Sequence, residues 1–280
     1  MKEITYLSLG AGVKSGTLAE MMVQGDLAKA DFAIFADTQD EPQHTYSYLE
    51  YLTQRLARVG VPVFKVTAGS IVDSITTSVG RFASIPAYVR KPDGTIGQLR
   101  RQCTKEYKIQ PIENHARKVL QTKSLAYTTK RDQIRVKSGV HVTQLLGISR
   151  DEIHRAREDK RRWIDPQYPL LDYRMSRWDC VQYLRANGLP VPKRSSCRVC
   201  PYKTTAQWVK MAEQTPDDWA HVVAIDHQMR HGNSRYSDPD CVSGPVYLHW
   251  QCFPLPELLP QYKERPRVPA LFDLAAYTMP

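Results

Sequence analysis

The chain has 280 residues, 42% hydrophobic and 24% charged, the balance of a globular protein rather than a disordered or fibrous one. Thirty-nine Lys and Arg against 29 Asp and Glu give a net charge of +10, which favours polyanionic partners without selecting one. Six cysteines are too few for a disulfide scaffold, and no apolar run approaches the roughly 18 residues of a membrane span.

Met1-Lys2-Glu3 runs directly into a strand without a signal-peptide pattern, so a cytoplasmic location and no membrane partner are expected. Residues 4–9 (Ile-Thr-Tyr-Leu-Ser-Leu) read as a buried strand. A glycine loop follows, then a helix from about Ser15 to Val23. Phe32–Ala36 is a second strand, ending in Asp37-Thr38, which lead through Pro42 into a long amphipathic helix near 43–59. Val61–Val66 is a third strand. Residues 81–101, with Pro86, Pro92 and Gly94, read as a long loop, followed by a helix through about Leu120. The stretch 122–139 is polar, basic and without periodicity, and reads as a linker or mobile insertion. Val142–Ser149 is a further strand. Ser176-Arg177-Trp178-Asp179 is a capping box opening a helix that Gly188 closes. Two helices are expected near 205–214 and 217–231, and the proline-rich segment after residue 253 reads as irregular wrapping.

Strands alternating with helices imply an α/β fold of βαβ units: a Rossmann-like, mainly parallel sheet flanked by helices, with a helical C-terminal part. The expected division is a nucleotide-binding domain over 1–165 and a helical, cysteine-containing region over 166–280. Such a sheet binds ligands at the carboxyl ends of its strands, where both the glycine loop and Asp37-Thr38 fall.

A strand–glycine loop–helix presents backbone N–H groups and a positive helix end to an anion. Gly10 and Gly12 allow close backbone approach, and Ser8 and Ser15 can donate hydroxyl hydrogen bonds. The spacing is neither GxxxxGKS/T nor GxGxxG. The plainer reading is a tight βα turn, with Asp37-Thr38 as a helix cap.

Cys197-Arg198-Val199-Cys200-Pro201 is a single CxxC, and Cys103 stands in an Arg-rich run far upstream. A four-cysteine zinc site would need a second CxxC, and there is none. A dithiol redox pair, zinc completed by His or a distant Cys, a 4Fe–4S cluster completed by Cys103, and inert buried cysteines all remain open. Arg100, Arg101, Lys105, Lys193, Arg194 and Arg198 would favour thiolates or an anionic cluster. Cys241 or Cys252 could supply a fourth ligand; Cys180, inside a helix, reads as core. His249 reads as a packing histidine, and Trp208 and Trp219 as core aromatics.

Four segments, in order, carry a resemblance to a known family. Gly10-Ala11-Gly12-Val13-Lys14-Ser15 is similar to a variant of the SGGxDS loop of the PP-loop ATP pyrophosphatases, the adenine nucleotide alpha-hydrolase-like superfamily. Asp37-Thr38-Gln39-Asp40-Glu41-Pro42 resembles the DTxxExP segment of its PAPS reductase-like branch. Cys103-Thr104 with Lys108, Pro111 and Ile112 resembles CTxxxKxxPI, and Gly147-Ile148-Ser149-Arg150 with Glu152 and Arg155 resembles GxRxxExxxR. The resemblance covers roughly residues 1–230.

It implies ATP or a related adenine nucleotide with Mg²⁺. Its nucleotide-binding residues would be Ser8, Gly10, Ala11, Gly12, Val13, Ser15, Asp37, Thr38, Gly147 and Arg150, with Lys14, Asp37 and Arg150 as candidate catalytic residues. Lys14 occupies the place of the usual Asp, which puts a standard ATP pyrophosphatase reaction in doubt. Arg150 and Arg155 begin a charged run through Arg157, Lys160, Arg161 and Arg162, part of which is solvated surface. In sulfur-transfer members of the superfamily three cysteines hold a cluster, a layout matched by Cys103, Cys197 and Cys200.

The implied activity is adenylation of a substrate followed by iron–sulfur-assisted sulfur transfer. A nucleic acid or other anionic substrate would lie on the basic residues around 100–137 and 150–162, with a sulfur-donor protein or a second copy of the chain as further partners. One alternative is a sulfonucleotide reductase of the PAPS or adenylyl-sulfate type, although the end Phe272–Pro280 lacks the catalytic cysteine of those enzymes. The other is a non-catalytic nucleotide- and nucleic-acid-binding module.

Overall fold

A computed structural model describes residues 4–77, 85–156 and 161–264. Residues 81–84 of the expected loop, Arg157 and Lys160 of the charged run, and the tail from 265 lie outside the described residues. The chain divides into two units: Met1–Ser74 with Arg101–Arg198, and Ile75–Arg100 with Val199–Pro280.

The first unit is built on strand β1 (Ile4–Leu9), helix α1 (Val13–Gln24), β2 (Phe32–Asp37), α2 (Gln43–Ala57), β3 (Val63–Thr67) and the short α3 (Ile71–Thr76). All six residues of β2 are buried, because helices cover both faces of the sheet. The pleat sorts them: Phe32, Ile34 and Ala36 pack with Tyr6, Ile112 and Leu120 on one face, while Ala33 and Phe35 pack with Leu7, Leu18 and Leu52 on the other. Each fully buried Leu or Ile there contributes about 1.5–3 kcal/mol.

A second segment enters this unit through a π-helical turn (Thr104–Ile109) that runs into α4 (Gln110–Thr122). The Gln110 amide donates to the Lys105 carbonyl, five residues back. Pro111 explains the wide turn: it has no N–H for the carbonyl of Tyr107, and its ring would crowd that carbonyl in an α-helix. Next come β6 (Ala126–Thr128), β7 (Ile134–Val136), β8 (Val142–Leu146), a 3₁₀ turn (Arg150–Arg155), β9 (Ile164–Gln167), α5 (Pro169–Asp172) and α6 (Arg177–Ala186). The sheet order is β3-β2-β1-β8-β9, parallel throughout. The chain steps outward from β1 to β3, then returns to the other side of β1 with β8. The carboxyl ends of β1 and β8 therefore flank the point where winding reverses, the binding crevice of this class of sheet. The boundary expected at 165 runs through this unit, since Cys180, Val181 and Leu184 of α6 pack with Leu18 and Met22 of α1.

The stretch 122–139 is not the expected linker: β6 and β7 form an antiparallel hairpin, with Ala126 buried among Ile112, Ala116 and Leu120. The capping box is present, with the Ser176 hydroxyl accepting from the Asp179 amide and the Asp179 carboxylate accepting from the Ser176 amide.

The second unit contains β4 (Tyr88–Arg90), β5 (Ile96–Gln98), α7 (Thr205–Gln214), α8 (Pro216–His231), β10 (Val246–Tyr247) and α9 (Leu255–Glu264). The expected loop 81–101 thus holds two short strands, paired antiparallel in the order β10-β4-β5. The segment after 253 begins with a helix rather than irregular chain. Asp226 ties this unit together, fully buried and accepting from Arg230 at 2.7 Å and from the Leu248 and Leu255 amides at 3.0 and 3.2 Å. No helix among the described residues is long and apolar enough to cross a membrane.

Candidate functional site

The loop between β1 and α1 turns through Ala11, whose φ of 46° is a left-handed conformation that costs an L-residue roughly 1–2 kcal/mol. Such strain concentrates where a backbone is aimed at a ligand. Gly12 caps α1 without any side-chain cap, so the amides of the first turn face outward from the strand ends. The Ser15 hydroxyl is taken up by the loop itself, accepting from the Gly10 amide at 3.1 Å. Ser8 lies on β1 between Ile34 and Leu146, and Val13 is buried.

Gly147, just after β8, abuts this turn. A Cβ there would stand 2.8 Å from the Ser15 nitrogen and 3.1 Å from both the Lys14 carbonyl carbon and the Ser15 Cα. Only glycine allows the segment after β8 to pass so close to the start of α1. The structure thus brings Gly10 to Ser15 and Gly147 together across the switch point.

Lys14 pairs with the Glu152 carboxylate, which Arg155 also contacts at 2.8 Å. Burial pushes the Glu152 carboxyl up, but the Lys14 contact followed by Arg155 outweighs it and holds the group below its usual range. The cation in place of the expected loop carboxylate is therefore met by a carboxylate from the 3₁₀ turn. Glu152 sits in the GxRxxExxxR-like segment, and only the fold reveals its partner. Arg150 is exposed, held by its backbone amide, which donates to the Met175 carbonyl at 2.8 Å.

At the end of β2 the Asp37 carboxylate is buried and fully engaged. It accepts from the Gln39 amide and the Tyr46 hydroxyl, both at 2.8 Å, and pairs with Lys65 at 2.9 Å. Burial raises its pKa, but the bonds from Lys65, Tyr46 and Gln39 more than compensate and hold it below the ordinary value. The same burial and the Asp37 charge push the Tyr46 phenol well upward. Gln39 next turns left-handed at φ 58°.

Beyond that turn lies a buried polar cluster. The Thr38 hydroxyl is 3.2 Å from both the Glu41 carboxylate and the Cys197 sulfur, and the Cys197 thiol donates to Glu41 at 3.4 Å. Lys108, from the π-helical turn, reaches the same Glu41 oxygen at 3.2 Å. The other Glu41 oxygen, Oε2, is buried and makes no hydrogen bond. Arg198 grips Asp40 through its side chain at 3.0 Å and its amide at 2.8 Å, so this guanidinium is committed to Asp40. From the sequence, Asp40, Glu41 and Lys108 carried no site role. Their signal was placement: two acids directly after a strand-end Thr, and a lysine on a proline-distorted turn.

The six cysteines carry free thiols. Cys103, half-buried, precedes the π-helical turn in the first unit, and Cys200 belongs to the second unit. Cys180 is core, its thiol pushed up to about 11 by burial. Cys252 is buried and Cys241 exposed, each with a raised thiol pKa. Among the described residues no group of three or more His, Cys, Asp or Glu is placed to hold a metal ion. His249 is buried and bonded to Thr205, and Trp208 is fully buried, both as expected; Trp219 is half-buried.

No family model matches the chain, and no curated protein matches it. Among solved structures, a phosphoadenylyl-sulfate (PAPS) reductase from Candida auris, in a phosphate complex, aligns over 67% of this chain and 74% of that chain, with 12% sequence identity and a TM-score of 0.38. A likeness of that size carries no function. The α/β assignment rests on the parallel strand order itself.

Proposed function

We propose that the chain is a nucleotide-dependent enzyme of PP-loop type that binds an adenine nucleotide across the carboxyl ends of β1 and β8. One observation carries the reading. The left-handed Ala11 and the uncapped first turn of α1 stand against Gly147 at the switch point of an all-parallel sheet.

In this reading the amides of residues 11–15 hold the phosphates, as donors fixed before the ligand arrives. Lys14 exchanges Glu152 for a phosphate oxygen and neutralises part of its charge. Arg150, exposed beside the loop, steers the anion, while Asp37 and Thr38 bound the site on the β2 side. Bound Mg²⁺ would supply further neutralisation of the phosphates. The reaction that this arrangement supports is adenylation. A substrate oxygen attacks the α-phosphorus, the bond to the bridging oxygen of the β-phosphate breaks, and pyrophosphate leaves. An anionic acceptor suits the basic segments around 100–137 and 150–162.

Cys103, Cys197 and Cys200 as cluster ligands are a separable part of the proposal. Cys197 would have to release Thr38 and Glu41 to take that role. Sulfur transfer depends on that part; nucleotide binding does not.

The non-catalytic alternative has one observation in its favour, the Lys14–Glu152 pair at the loop. Incubation with Mg-ATP and candidate acceptors decides between them. Acceptor-dependent pyrophosphate release supports the enzyme; ATP binding without release across nucleic-acid and small-molecule acceptors supports the module.

A further inference from the structure

The second unit holds a cavity of about 520 Å³ that the nucleotide reading does not use, within the range of small-molecule sites. Its walls include Tyr88, Tyr202 and Trp250 with Lys203 and Thr205. Trp250 is 50% exposed and Tyr202 40%. Large aromatic side chains lining one concavity mark a binding surface more than scattered exposed apolar residues do.

The polar groups are fixed from beneath. His249, fully buried, accepts the Gln251 amide on Nδ1 at 3.4 Å. Its proton therefore sits on Nε2, which donates to the Thr205 hydroxyl oxygen at 2.9 Å. Thr205, held by His249, places its hydroxyl at the cavity wall. Lys203 places its ammonium 5.2 Å from the centroid of the buried Trp208 ring, which anchors the cation beside the aromatics. The helix terminus contributes less, because Thr204 and Gln207 close the start of α7 with a capping box.

Flat π-faces, one anchored cation and one held hydroxyl suit a planar heterocycle with acceptor edges joined to a phosphate. We propose that this cavity binds an unpaired base of a single-stranded nucleic acid, the base against Trp250 and Tyr202, a base-edge acceptor on Thr205 and the adjoining phosphate at Lys203. A strand is favoured over a free mononucleotide because a chain of net charge +10 attracts a polyanion along its length, whereas a mononucleotide offers a single phosphate. The site stands independently of the nucleotide crevice.

Fluorescence anisotropy with a labelled oligothymidylate, the matching duplex and thymidine monophosphate tests it, alongside quenching of Trp250 emission. The strand should bind, quench Trp250 and outcompete the duplex. Trp250→Ala and Tyr202→Ala should each weaken strand binding about 5- to 150-fold, the equivalent of one lost stacking contact. Lys203→Ala should lower the slope of log affinity against log salt by about 1. Both aromatic residues are substantially exposed, so the variants should melt with the wild type, and Trp250→Ala should bind ATP as the wild type does. No strand binding by the wild type, or strand binding unchanged in both aromatic variants, overturns the proposal. Mononucleotide binding as tight as the strand's reassigns the cavity to a free nucleotide, and equal duplex binding refutes the unpaired base. Loss of ATP binding in wild type and variant alike speaks against the crevice instead.

Discussion

Gly147→Ala probes the crevice at its tightest point. The added methyl would stand 2.8 Å from the Ser15 nitrogen, with the Lys14 carbonyl carbon and Ser15 Cα at 3.1 Å. All three are backbone atoms of the turn at the start of α1, so no rotamer change relieves the contact. Overpacking of this kind costs about 1–3 kcal/mol, which for a chain of this size lowers the melting temperature by about 2–12 °C. The movement displaces the first turn of α1, so Mg-ATP affinity should fall further than stability alone requires. Gly10→Ala is the control for the melting curve, since a Cβ there meets only the Ser15 hydroxyl, at an ordinary 3.7 Å. Melting curves and calorimetric titration with Mg-ATP on the two variants read the effect. A Gly147→Ala protein that melts and binds ATP like the wild type would refute the reasoning, because the close approach would then constrain nothing.

Asp37→Asn removes the charge facing Lys65 and should cost about 1–3 kcal/mol at neutral pH, measured by denaturant unfolding. The folded pKa of Asp37 lies below its ordinary 3.8, so this stabilisation is present above that value and lost as pH falls through the folded pKa; the gap between variant and wild type should close there. Lys14→Ala leaves Glu152 with Arg155 and should cost less, about 0.2–1 kcal/mol; the folded pKa of Glu152 lies below its ordinary 4.5, so the difference is present above that value and lost as pH falls through the folded pKa. If Lys14 also meets phosphate, that variant loses ATP affinity in excess of its stability loss. For the cluster proposal, protein purified without oxygen should be brown, and Cys197→Ser should lose the colour and the iron; a colourless wild type without iron removes the proposal.

The start of the first unit was legible because β2 is a continuous apolar run. Phe32–Ala36 has no polar side chain, and burial on both faces of a parallel sheet demands that composition. The glycine loop was legible because a strand-to-helix turn leaves few alternatives for Gly10 and Gly12. The hairpins were not. Ala126–Thr128 and Ile134–Val136 offer three residues each, partly facing solvent, and the left-handed residue in the turn between them is Asp132 rather than glycine. Tyr88–Arg90 and Ile96–Gln98 are as short, although Pro92-Asp93-Gly94 between them, with Gly94 at φ 81°, is turn chemistry that supports a hairpin. At the site, the positions of Asp40, Glu41 and Lys108 escaped the sequence, and so did the pairings. Glu41 and Cys197 are 156 residues apart, and Glu152 lies far along the chain from Lys14. Each residue is ordinary alone; only the fold makes a buried carboxylate the neighbour of a thiol, or a loop cation the partner of an acid.

The central claim is that an adenine nucleotide lies at the carboxyl ends of β1 and β8. Hydrogen exchange followed by mass spectrometry, with and without Mg-ATP, tests it most directly, because the amides proposed to hold the phosphates are the groups observed. Slowed exchange is expected to concentrate in residues 10–16 and 147–150, with the hairpin β6–β7 unchanged. Exchange unaltered by saturating Mg-ATP, or protection confined to segments outside that crevice, would contradict it.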